Sequence, residues 1–286
     1  MDGILVLDKP PGMSSAAAVD HVKKATRAKR VGHGGTLDPI ATGVLAICLN
    51  EATKIAQYLL ADDKAYRAEL ILGKVTDTLD RTGIVTDERD PSGVTPEMIE
   101  RALAARMGEQ DQIPPMFSAI KKDGKRLYKH ARQGETIDRE PRRIRIDQLS
   151  LVAIAGVRVT IDIACSKGTY VRSLVDDLGR DLGCGAYLSE LRRTKSGMFS
   201  IDQAQPLSAL DLGNLVSIES VLVLPKVHAP ADKVPFIRSG LQMPAETFIG
   251  VPEEPAQFQL LDPVGKLIAI AHQAAGKILY DRVFTT

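Results

Sequence analysis

Apolar runs of strand length alternate with amphipathic stripes of helical spacing along this 286-residue chain. The run GILVL at residues 3–7 predicts a first strand, and Ser14 or Ser15 is placed to cap the helix that follows it. VLAICL at residues 44–49 predicts a short buried strand. After it, five apolar residues share one face of a predicted helix: Ala52, Ile55, Ala56, Leu59 and Leu60.

The alternation continues through the middle of the chain. YRAELIL at residues 66–72 and VRVTIDIAC at residues 157–165 predict two more strands. Between them, Thr95-Pro96 opens a predicted helix, because proline is favoured at the first helical position. Mixed strands and helices of this kind predict an α+β protein.

A further helix is predicted between Gly168 and Gly183, and the second glycine ends it. Its buried stripe consists of Val171, Leu174, Val175, Leu178 and Leu182. Arg172 falls in the first turn beside this stripe, so we expect it at the edge of the sheet, where clefts form.

Prolines cluster between residues 205 and 235 and separate weakly periodic segments. This change predicts a domain boundary near residue 220, with one domain at 1–220 and a second at 221–286. Short strand-like runs such as FQLLD and KLIAIAH predict a small all-β module in the second domain.

Cysteine usage and hydropathy indicate a cytoplasmic protein. The three cysteines, Cys48, Cys165 and Cys184, are widely spaced and never form a C-x-x-C pair, so we expect neither a disulfide framework nor a zinc site. No apolar stretch approaches the length of a membrane span, and the N-terminus lacks the pattern of a signal peptide.

Positive charge is concentrated locally although the formal net charge is only +1. The main basic segment covers residues 121–145, and two smaller groups are Lys23, Lys24, Arg27, Lys29 and Arg30, and Arg192, Arg193 and Lys195. Such runs are often solvated faces, but three of them in a nearly neutral protein also fit a track for a polyanion.

Asp38 lies in GHGGTLDPIATGVLA, residues 32–46, between a glycine-rich loop and an apolar run. Turn chemistry alone explains an Asp-Pro pair. The alternative is a carboxylate positioned as a nucleophile or base, with glycines that let a ligand approach closely. The stretch matches neither phosphate-binding glycine motif, and His33 with Asp38 makes a poor metal site.

Several motifs in order resemble the TruB-type tRNA pseudouridine synthases over roughly residues 3 to 200. They are DKPPGMSS, GHGGTLDPIATGVL, KAYRAELILGKVTDTLDRTG, PPMFSAIKKDGKRLYKHARQG, CSKGTYVRSLVDDLG and LSELRRTKSGMFSI. The resemblance implies an α+β pseudouridine-synthase fold: a mixed, mainly antiparallel sheet flanked by helices, plus a small C-terminal β-barrel of the PUA-like type. The C-terminal residues carry only thin motif resemblance.

The implied activity is a cofactor-free isomerisation of uridine 55 in the tRNA T-loop to pseudouridine. By this resemblance Asp38 is the catalytic aspartate, which either attacks the sugar carbon or removes a sugar proton. Arg172 matches the arginine that pairs with it, and such a pair would stabilise the charged carboxylate against desolvation. A surface arginine at a helix start is the alternative for Arg172, although a cation there is slightly unfavourable.

The target base lies inside a folded loop, so the enzyme has to flip it out. Tyr66 matches the tyrosine that stacks on the flipped base, and His33 a histidine that helps to displace it. Tyr170 and Leu191 match further positions of the substrate pocket. Taken alone, Tyr66 and Leu191 would indicate packing in the core.

The resemblance also implies how the RNA is held. Residues 114–142 correspond to an insertion that clasps the T-arm, and Lys9 with Pro10 supports the active-site loop. TDTLDRTG, with Asp77 and Asp80, lacks the ligand pattern of a calcium loop and predicts a turn. Contacts with the tRNA backbone are expected from Lys121, Lys122, Lys125, Arg126, Lys129, Arg132, Arg142 and Arg143.

Three alternatives remain at this stage. One is an RNA-guided pseudouridine synthase subunit, against which the early start MDGILVLDKP favours a stand-alone monomer. Another is a non-catalytic tRNA folding helper in which Asp38 is structural. The weakest is a glycosidase, because paired acid and base carboxylates are not evident.

Overall fold

The computed structural model describes residues 1–60, 63–118, 120–122, 124–131, 133–253 and 256–285. Strands and short helices alternate along it, as the hydrophobic pattern predicts. Within the described residues the strands are β1 (Gly3–Lys9), β2 (Val31–His33), β3 (Thr42–Leu49), β4 (Lys64–Leu72), β5 (Lys74–Thr76), β6 (Val85–Glu88), β7 (Gly108–Gln112), β8 (Lys121–Lys122), β9 (Lys125–Arg126), β10 (Arg142–Ala155), β11 (Arg158–Cys165), β12 (Ala186–Ser196), β13 (Phe199–Ser200), β14 (Gln205–Pro206), β15 (Lys226–His228), β16 (Met243–Pro244), β17 (Gln257–Leu261), β18 (Leu267–Ala274) and β19 (Lys277–Val283).

The helices begin at the residues that the capping patterns predict. The Ser14 hydroxyl accepts the backbone N–H of Ala17, and the Thr95 hydroxyl accepts that of Met98. In the same described ranges the helices are α1 (Ser15–Thr26), α2 (Ala56–Leu60), α3 (Pro96–Ala105), α4 (Leu127–Ala131), α5 (Val171–Asp181), α6 (Ile218–Val221) and α7 (Val234–Arg238). Short 3-10 helices are Asn50–Ile55, Ile201–Gln203, Leu212–Asn214, Ala231–Lys233 and Ala245–Thr247.

The predicted helix over residues 52–60 is wrong in type for its first half, which is 3-10 and becomes α only at Ala56. Local side chains explain the difference. The Thr53 hydroxyl donates to the carbonyl of Asn50 at 2.7 Å, and the Asn50 amide donates to the carbonyl of Met1 at 2.6 Å. Such bonds compete with the α-helical ladder.

A mixed sheet forms the larger part of the fold. Its strand order is β14-β1-β3-β12-β4-β11-β10-β7, with β13 beside β12 and β2 beside β3. Most neighbours are antiparallel, while β1 with β14 and β12 with β3 are parallel. The mixed, mainly antiparallel sheet predicted from the sequence is therefore confirmed.

Apolar residues cover both faces of this sheet at β1 and β3. Leu5 and Leu7 of β1 join one core cluster with residues of α1, α3 and α5, whereas Ile4 and Val6 join another on the opposite face. Successive residues of a strand point to opposite faces, so a strand buried on both sides is apolar throughout. This explains why GILVL and VLAICL are continuous apolar runs.

A second sheet, in the order β15-β17-β18-β19-β16, forms the small β module that the sequence predicts. It is curled and consistent with a PUA-like module. Phe258, Ile268 and Ile278 lie in its own core cluster. The boundary near residue 220 stays a prediction, because one cluster combines Ile4 of the large sheet with Ile270 of the small one.

The three cysteines are buried and free. Burial raises the pKa of the Cys48 thiol to about 12 and that of Cys165 to about 11. Among the described residues, no helix combines the length and the apolar character needed to cross a membrane.

Glu51 links the C-terminal end of the chain to the large sheet. Its side chain is buried, receives the ammonium group of Lys54 at 2.6 Å and pairs with Arg30. The backbone N–H of Thr285 also donates to it, and Lys54 donates to the carbonyl of Val283. One carboxylate thus holds the segment after β19 against the 3-10 helix at Asn50–Ile55.

We predict that Glu51→Gln lowers the free energy of unfolding at pH 7 by about 1 to 3 kcal/mol, because it leaves buried donors without their charged acceptor. Burial alone would raise the pKa of Glu51, but the hydrogen bonds and charges of its partners lower it below 4.5. The contribution is therefore present above pH 4.5 and lost as the pH falls through the lowered pKa.

Urea denaturation between pH 3 and pH 7 measures both effects. Glu88→Gln is the matched control, since Glu88 is exposed and pairs with Lys74 at the surface. Equal loss of stability in the two variants would contradict the prediction.

Candidate active site

Asp38 lies on the loop that connects β2 to β3, and local hydrogen bonds fix this loop. The Ser15 hydroxyl accepts the N–H of Leu37 at 2.8 Å and donates to the carbonyl of the same residue at 3.0 Å. The N–H of Gly12 donates to the carbonyl of Pro39 at 2.8 Å. The start of α1 therefore holds the residues on both sides of Asp38.

Two glycines of the motif are required by close approach. A Cβ at Gly34 would lie 2.6 Å from the Cβ of Leu59. Gly43 has φ +97°, and a Cβ there would lie 2.2 Å from the carbonyl oxygen of Arg193. Both positions need glycine to bring the loop against its neighbours.

Arg172 forms the ion pair with Asp38 that the resemblance implies. Its Nε lies 2.9 Å from Oδ2 of Asp38. The Arg172 side chain is 4% exposed, whereas that of Asp38 is 34% exposed and can be reached from solvent. Arg172 lies in the first turn of α5, as expected, but the alternative of a surface arginine at a helix start is wrong, because other segments cover that side of α5.

Those segments also bind the guanidinium. Arg172 donates to the carbonyl of Thr78 at 3.1 Å and to that of Phe117 at 2.9 Å. Its Nη1 lies 3.7 Å from Oδ2 of Asp80. Arg172 thus contacts two carboxylates and two carbonyls, and its orientation toward Asp38 is fixed.

Asp80 is the residue that sequence reasoning missed. TDTLDRTG does form a turn, as predicted, but the Asp80 side chain is buried and faces Arg172. Its Oδ1 accepts the hydroxyls of Thr78 and Thr82 and the N–H of Thr82. The signal in the sequence was the pair of threonines, each two residues from Asp80.

Tyr66 and His33 are both half-buried, and the charge of Arg193 acts on both side chains. Burial raises the pKa of Tyr66, and the charges of Arg193 and Asp38 act on it as well. Burial, and then the charge of Arg193, lowers the pKa of His33 below 6.5. Nδ1 of His33 accepts the N–H of Gly35 at 3.4 Å.

Tyr170 and Leu191, the other two residues expected in the substrate pocket, differ in their surroundings. The N–H of Tyr170 donates to Oε1 of Gln112 at 2.8 Å, and burial raises the pKa of its hydroxyl, on which the charge of Asp38 also acts. Leu191 is buried in the main core cluster and stands opposite Ala68 across β12 and β4. The structure therefore shows Leu191 as a core residue.

Lys9 is buried beneath the loop. Its ammonium group donates to the carbonyls of Pro10 at 2.9 Å and Met13 at 2.6 Å. Burial lowers the pKa of Lys9 to about 8, although the charge of Asp38 opposes the shift. Its contacts agree with the structural role expected for Lys9 and Pro10.

The family model described as "TruB family pseudouridylate synthase (N terminal domain)" matches residues 23–171, which include Asp38 and Tyr66. The chain belongs to the TruB family. A second model, "tRNA pseudouridylate synthase B C-terminal domain", matches residues 172–225 and begins at Arg172.

Curated relatives in the TruB family carry the name tRNA pseudouridine synthase B. The protein from Thiobacillus denitrificans is 41% identical over 294 residues, which cover 100% of this chain and 97% of the relative. The protein from Syntrophotalea carbinolica is 48% identical over 212 residues, or 74% of this chain and 69% of the relative.

Solved structures share the fold. A chain of the crystal structure titled "Crystal Structure of a Cbf5-Nop10-Gar1 Complex" superposes with a TM-score of 0.73 at 27% identity, covering 98% of this chain and 84% of that one. A chain of an H/ACA RNP bound to a substrate RNA that contains 2'-deoxyuridine gives 0.72 at 23% identity, which shows the fold alone.

The basic segment of this TruB-family chain is partly described. Lys122, Lys129, Arg142 and Arg143 are exposed, and Lys125 is half-exposed. Some of these charges have partners on the protein: Lys122 donates to the carbonyl of Asp138, Lys125 pairs with Glu135 and Arg143 pairs with Glu109. Arg132 and the side chains of Lys121 and Arg126 lie outside what the structure describes.

We see no metal site in the described part of this TruB-family chain, since no group of three or more His, Cys, Asp or Glu side chains there could hold an ion.

The lowered pKa of Lys9 predicts a pH effect on stability. Between pH 8 and pH 10.5 the unfolded chain binds a proton at Lys9 that the folded chain does not, so stability rises with pH in this window. Lys9→Met removes this dependence. We expect the difference in unfolding free energy, wild type minus Lys9→Met, to increase from pH 8 to pH 10.5 in urea denaturation.

Lys74→Met serves as the control. A hydrogen bond with Glu88 raises the pKa of Lys74, so its contribution is present below pH 10.5 and falls only as the pH passes the raised value. A flat difference for Lys9→Met, matching the control, would disprove the burial effect.

Proposed function

We propose that this TruB-family chain is a tRNA pseudouridine synthase that isomerises uridine 55 in the T-loop. The observation that carries the proposal is the Asp38–Arg172 ion pair at 2.9 Å, with a buried cation and a carboxylate that reaches the cleft. The names of relatives such as the Thiobacillus denitrificans protein, which matches this chain over its whole length, support tRNA as the substrate.

The reaction rearranges one nucleotide and needs no other reactant. The N1–C1′ bond breaks, the uracil turns, and a C5–C1′ bond forms while the proton on C5 is lost and N1 gains one. The carboxylate of Asp38 is the nucleophile or base on the ribose. Arg172 orients this carboxylate, because its Nε donates to it while Thr78 and Phe117 hold the rest of the guanidinium.

Aromatic and apolar side chains around the pair suit a flipped base. Tyr66 offers its ring for stacking, with Tyr170 and Leu191 on the neighbouring walls. The lowered pKa of His33 leaves its ring neutral near pH 7, so it can donate or accept a hydrogen bond to the displaced base or loop.

Exposed cations next to the clasp supply contacts to phosphates. Lys122, Lys129 and Arg142 are exposed and, among the described residues, form no ion pair with an acid, unlike Arg143. Lys121, Arg126 and Arg132 belong to the same proposed set. Contacts of this kind position the T-arm without reading its sequence.

We propose that the enzyme acts in the cytoplasm as a monomer.

Two other functions are weaker. An RNA-guided subunit would resemble the Cbf5 chain more than the stand-alone relatives, but identity is 27% to the former and 41% to the Thiobacillus denitrificans protein. For a folding helper without catalysis, nothing would require a buried arginine aimed at Asp38, since burying a charge is costly. The ion pair therefore favours catalysis.

We predict that Asp38→Asn abolishes release of tritium from tRNA transcripts that carry C5-tritiated uridine, while tRNA binding stays within about threefold of wild type. The amide keeps the shape of the side chain but lacks the nucleophilic or basic carboxylate. Asp162→Asn is the matched control, since Asp162 also pairs with an arginine, Arg67, but on an exposed part of the sheet.

Wild-type protein that binds the T-arm but releases no tritium would support the folding-helper function instead. Equal release from wild type and Asp38→Asn would remove Asp38 from the reaction. Position 55 is tested by mapping the product in the transcript and by a transcript with cytidine at that position.

We predict that Asp80→Asn lowers kcat by roughly 10- to 100-fold, because a misplaced catalytic group costs about this much even at distances near 1 Å. Loss of the second carboxylate frees the guanidinium of Arg172 to turn away from Asp38. KM is expected to change little, since Asp80 is buried and does not face the RNA. Single-turnover tritium release measures the rate.

Asp77→Asn, in the same turn, is the control, because Asp77 accepts the N–H of Ile84 and makes no contact with Arg172 in the described structure. A normal rate for Asp80→Asn would show that Thr78 and Phe117 suffice to hold Arg172.

A further inference from the structure

Arg193 of β12 is a buried cation whose environment differs from that of Arg172. Its side chain is 1% exposed, among the largest fully buried side chains of the described chain. Within the described residues it forms no ion pair with an acid; instead it donates to the carbonyls of Val44 at 2.7 Å, Gly35 at 3.2 Å and Thr36 at 3.5 Å. The sequence grouped it with surface cations for a polyanion track, and its burial shows that this grouping is wrong for Arg193.

A buried charge without an opposite charge is costly unless its donors are satisfied. Three carbonyls on two segments satisfy these donors, and charge-assisted bonds of this type are stronger than neutral ones. Gly35 and Thr36 belong to the loop of Asp38, so their carbonyls would be left without this donor if Arg193 were removed. Arg193 therefore fixes the loop at Gly35 and Thr36, three and two residues before Asp38.

Strand register places the same side chain beside Tyr66. Arg193 stands opposite Tyr66 across β12 and β4, and opposite Gly43 across β12 and β3. Opposite residues on neighbouring strands share a face and contact each other. Burial raises the pKa of the Tyr66 hydroxyl, and the positive charge of Arg193 opposes that shift, as expected for two neighbouring side chains.

This arrangement depends on the planar guanidinium group, whose several N–H donors point in fixed directions. Its nitrogens bind the loop and β3 from one rigid plane, and the residue stands opposite Tyr66 across β12 and β4. A lysine keeps the charge but has a single nitrogen on a flexible stem, so it cannot hold all three groups in one geometry. The relative position of Tyr66 and Asp38 thus depends on one planar group.

We propose that Arg193 is a positioning residue that fixes the Tyr66 ring and the Asp38 loop relative to each other, so that a stacked base and the carboxylate meet at the same ribose. The proposal rests on the proposed function. Arg193 itself lies behind the cleft and does not touch the RNA. It acts through the groups that it holds.

The test compares Arg193→Lys with wild type in single-turnover tritium release, tRNA binding and thermal denaturation. We expect kcat per folded molecule to fall roughly 10- to 100-fold while KM changes by less than about threefold, since the groups are misplaced but the RNA still docks. Arg67→Lys is the matched control: Arg67 forms a bidentate pair with Asp162 in an exposed position next to Tyr66 in sequence.

A second variant separates positioning from stability. Tyr66→Phe removes only the hydroxyl, on which the charge of Arg193 acts, and we expect its effect on kcat to be non-additive with Arg193→Lys, because the two side chains are neighbours across β12 and β4. Additive effects, or a normal kcat for Arg193→Lys, would overturn the proposal. If Arg193→Lys does not fold, a normal kcat for Tyr66→Phe overturns it and a reduced kcat with normal tRNA affinity supports it.

A measurement without RNA distinguishes failure of the Arg193 proposal from failure of the proposed function. The ring carbons of Tyr66 are followed by NMR, and we expect faster ring flipping in Arg193→Lys than in wild type or Arg67→Lys. Unchanged ring motion would count against Arg193 as the group that holds Tyr66. Wild-type protein without tritium release would refute the proposed function alone, and the NMR result would still decide whether Arg193 fixes the ring.

Discussion

The buried guanidinium of Arg172 is the point at which separate parts of the chain meet. It reaches Asp38 on the β2–β3 loop, Thr78 and Asp80 in the turn after β5, and Phe117 in the segment after β7. A charge in this position is tolerated only because its donors are satisfied. The burial of Arg172 therefore depends on the loop, the turn and the segment at Phe117 together.

The two buried arginines have different partners, which indicates that they have different roles. Arg172 faces carboxylates, so it aligns charge at the reacting group, while Arg193 faces carbonyls and a tyrosine, so it aligns backbone and ring. Fixed dipoles and charges of this kind do not have to reorganise during a reaction. The formal net charge of +1 does not reveal these two buried cations.

Much of the fold was predictable because it follows local rules. Buried strands appear as continuous apolar runs, and Ser14 and Thr95 cap helices where the sequence places them. The site was less predictable. The helical period places Arg172 beside the apolar stripe of α5, but it cannot show that the turn with Asp80 covers this arginine. The threonines around Asp80 indicate local hydrogen bonds and do not indicate that its carboxylate faces Arg172. In the sequence, Arg193 cannot be distinguished from the basic residues around it. The segments that bury it are distant in sequence, so its burial leaves no local pattern.

Strand β12 contributes residues both to the central sheet and to the candidate site. It pairs with β3 on one side and β4 on the other, so one residue, Arg193, has Gly43 and Tyr66 as its two neighbours. Leu191, two residues earlier, lies on the same face. Shifting the register by one residue would send Arg193 to the opposite face and bring a side chain other than Tyr66 opposite it. The pairing that buries the apolar faces is thus also the pairing that brings the stacking ring to the loop of the carboxylate.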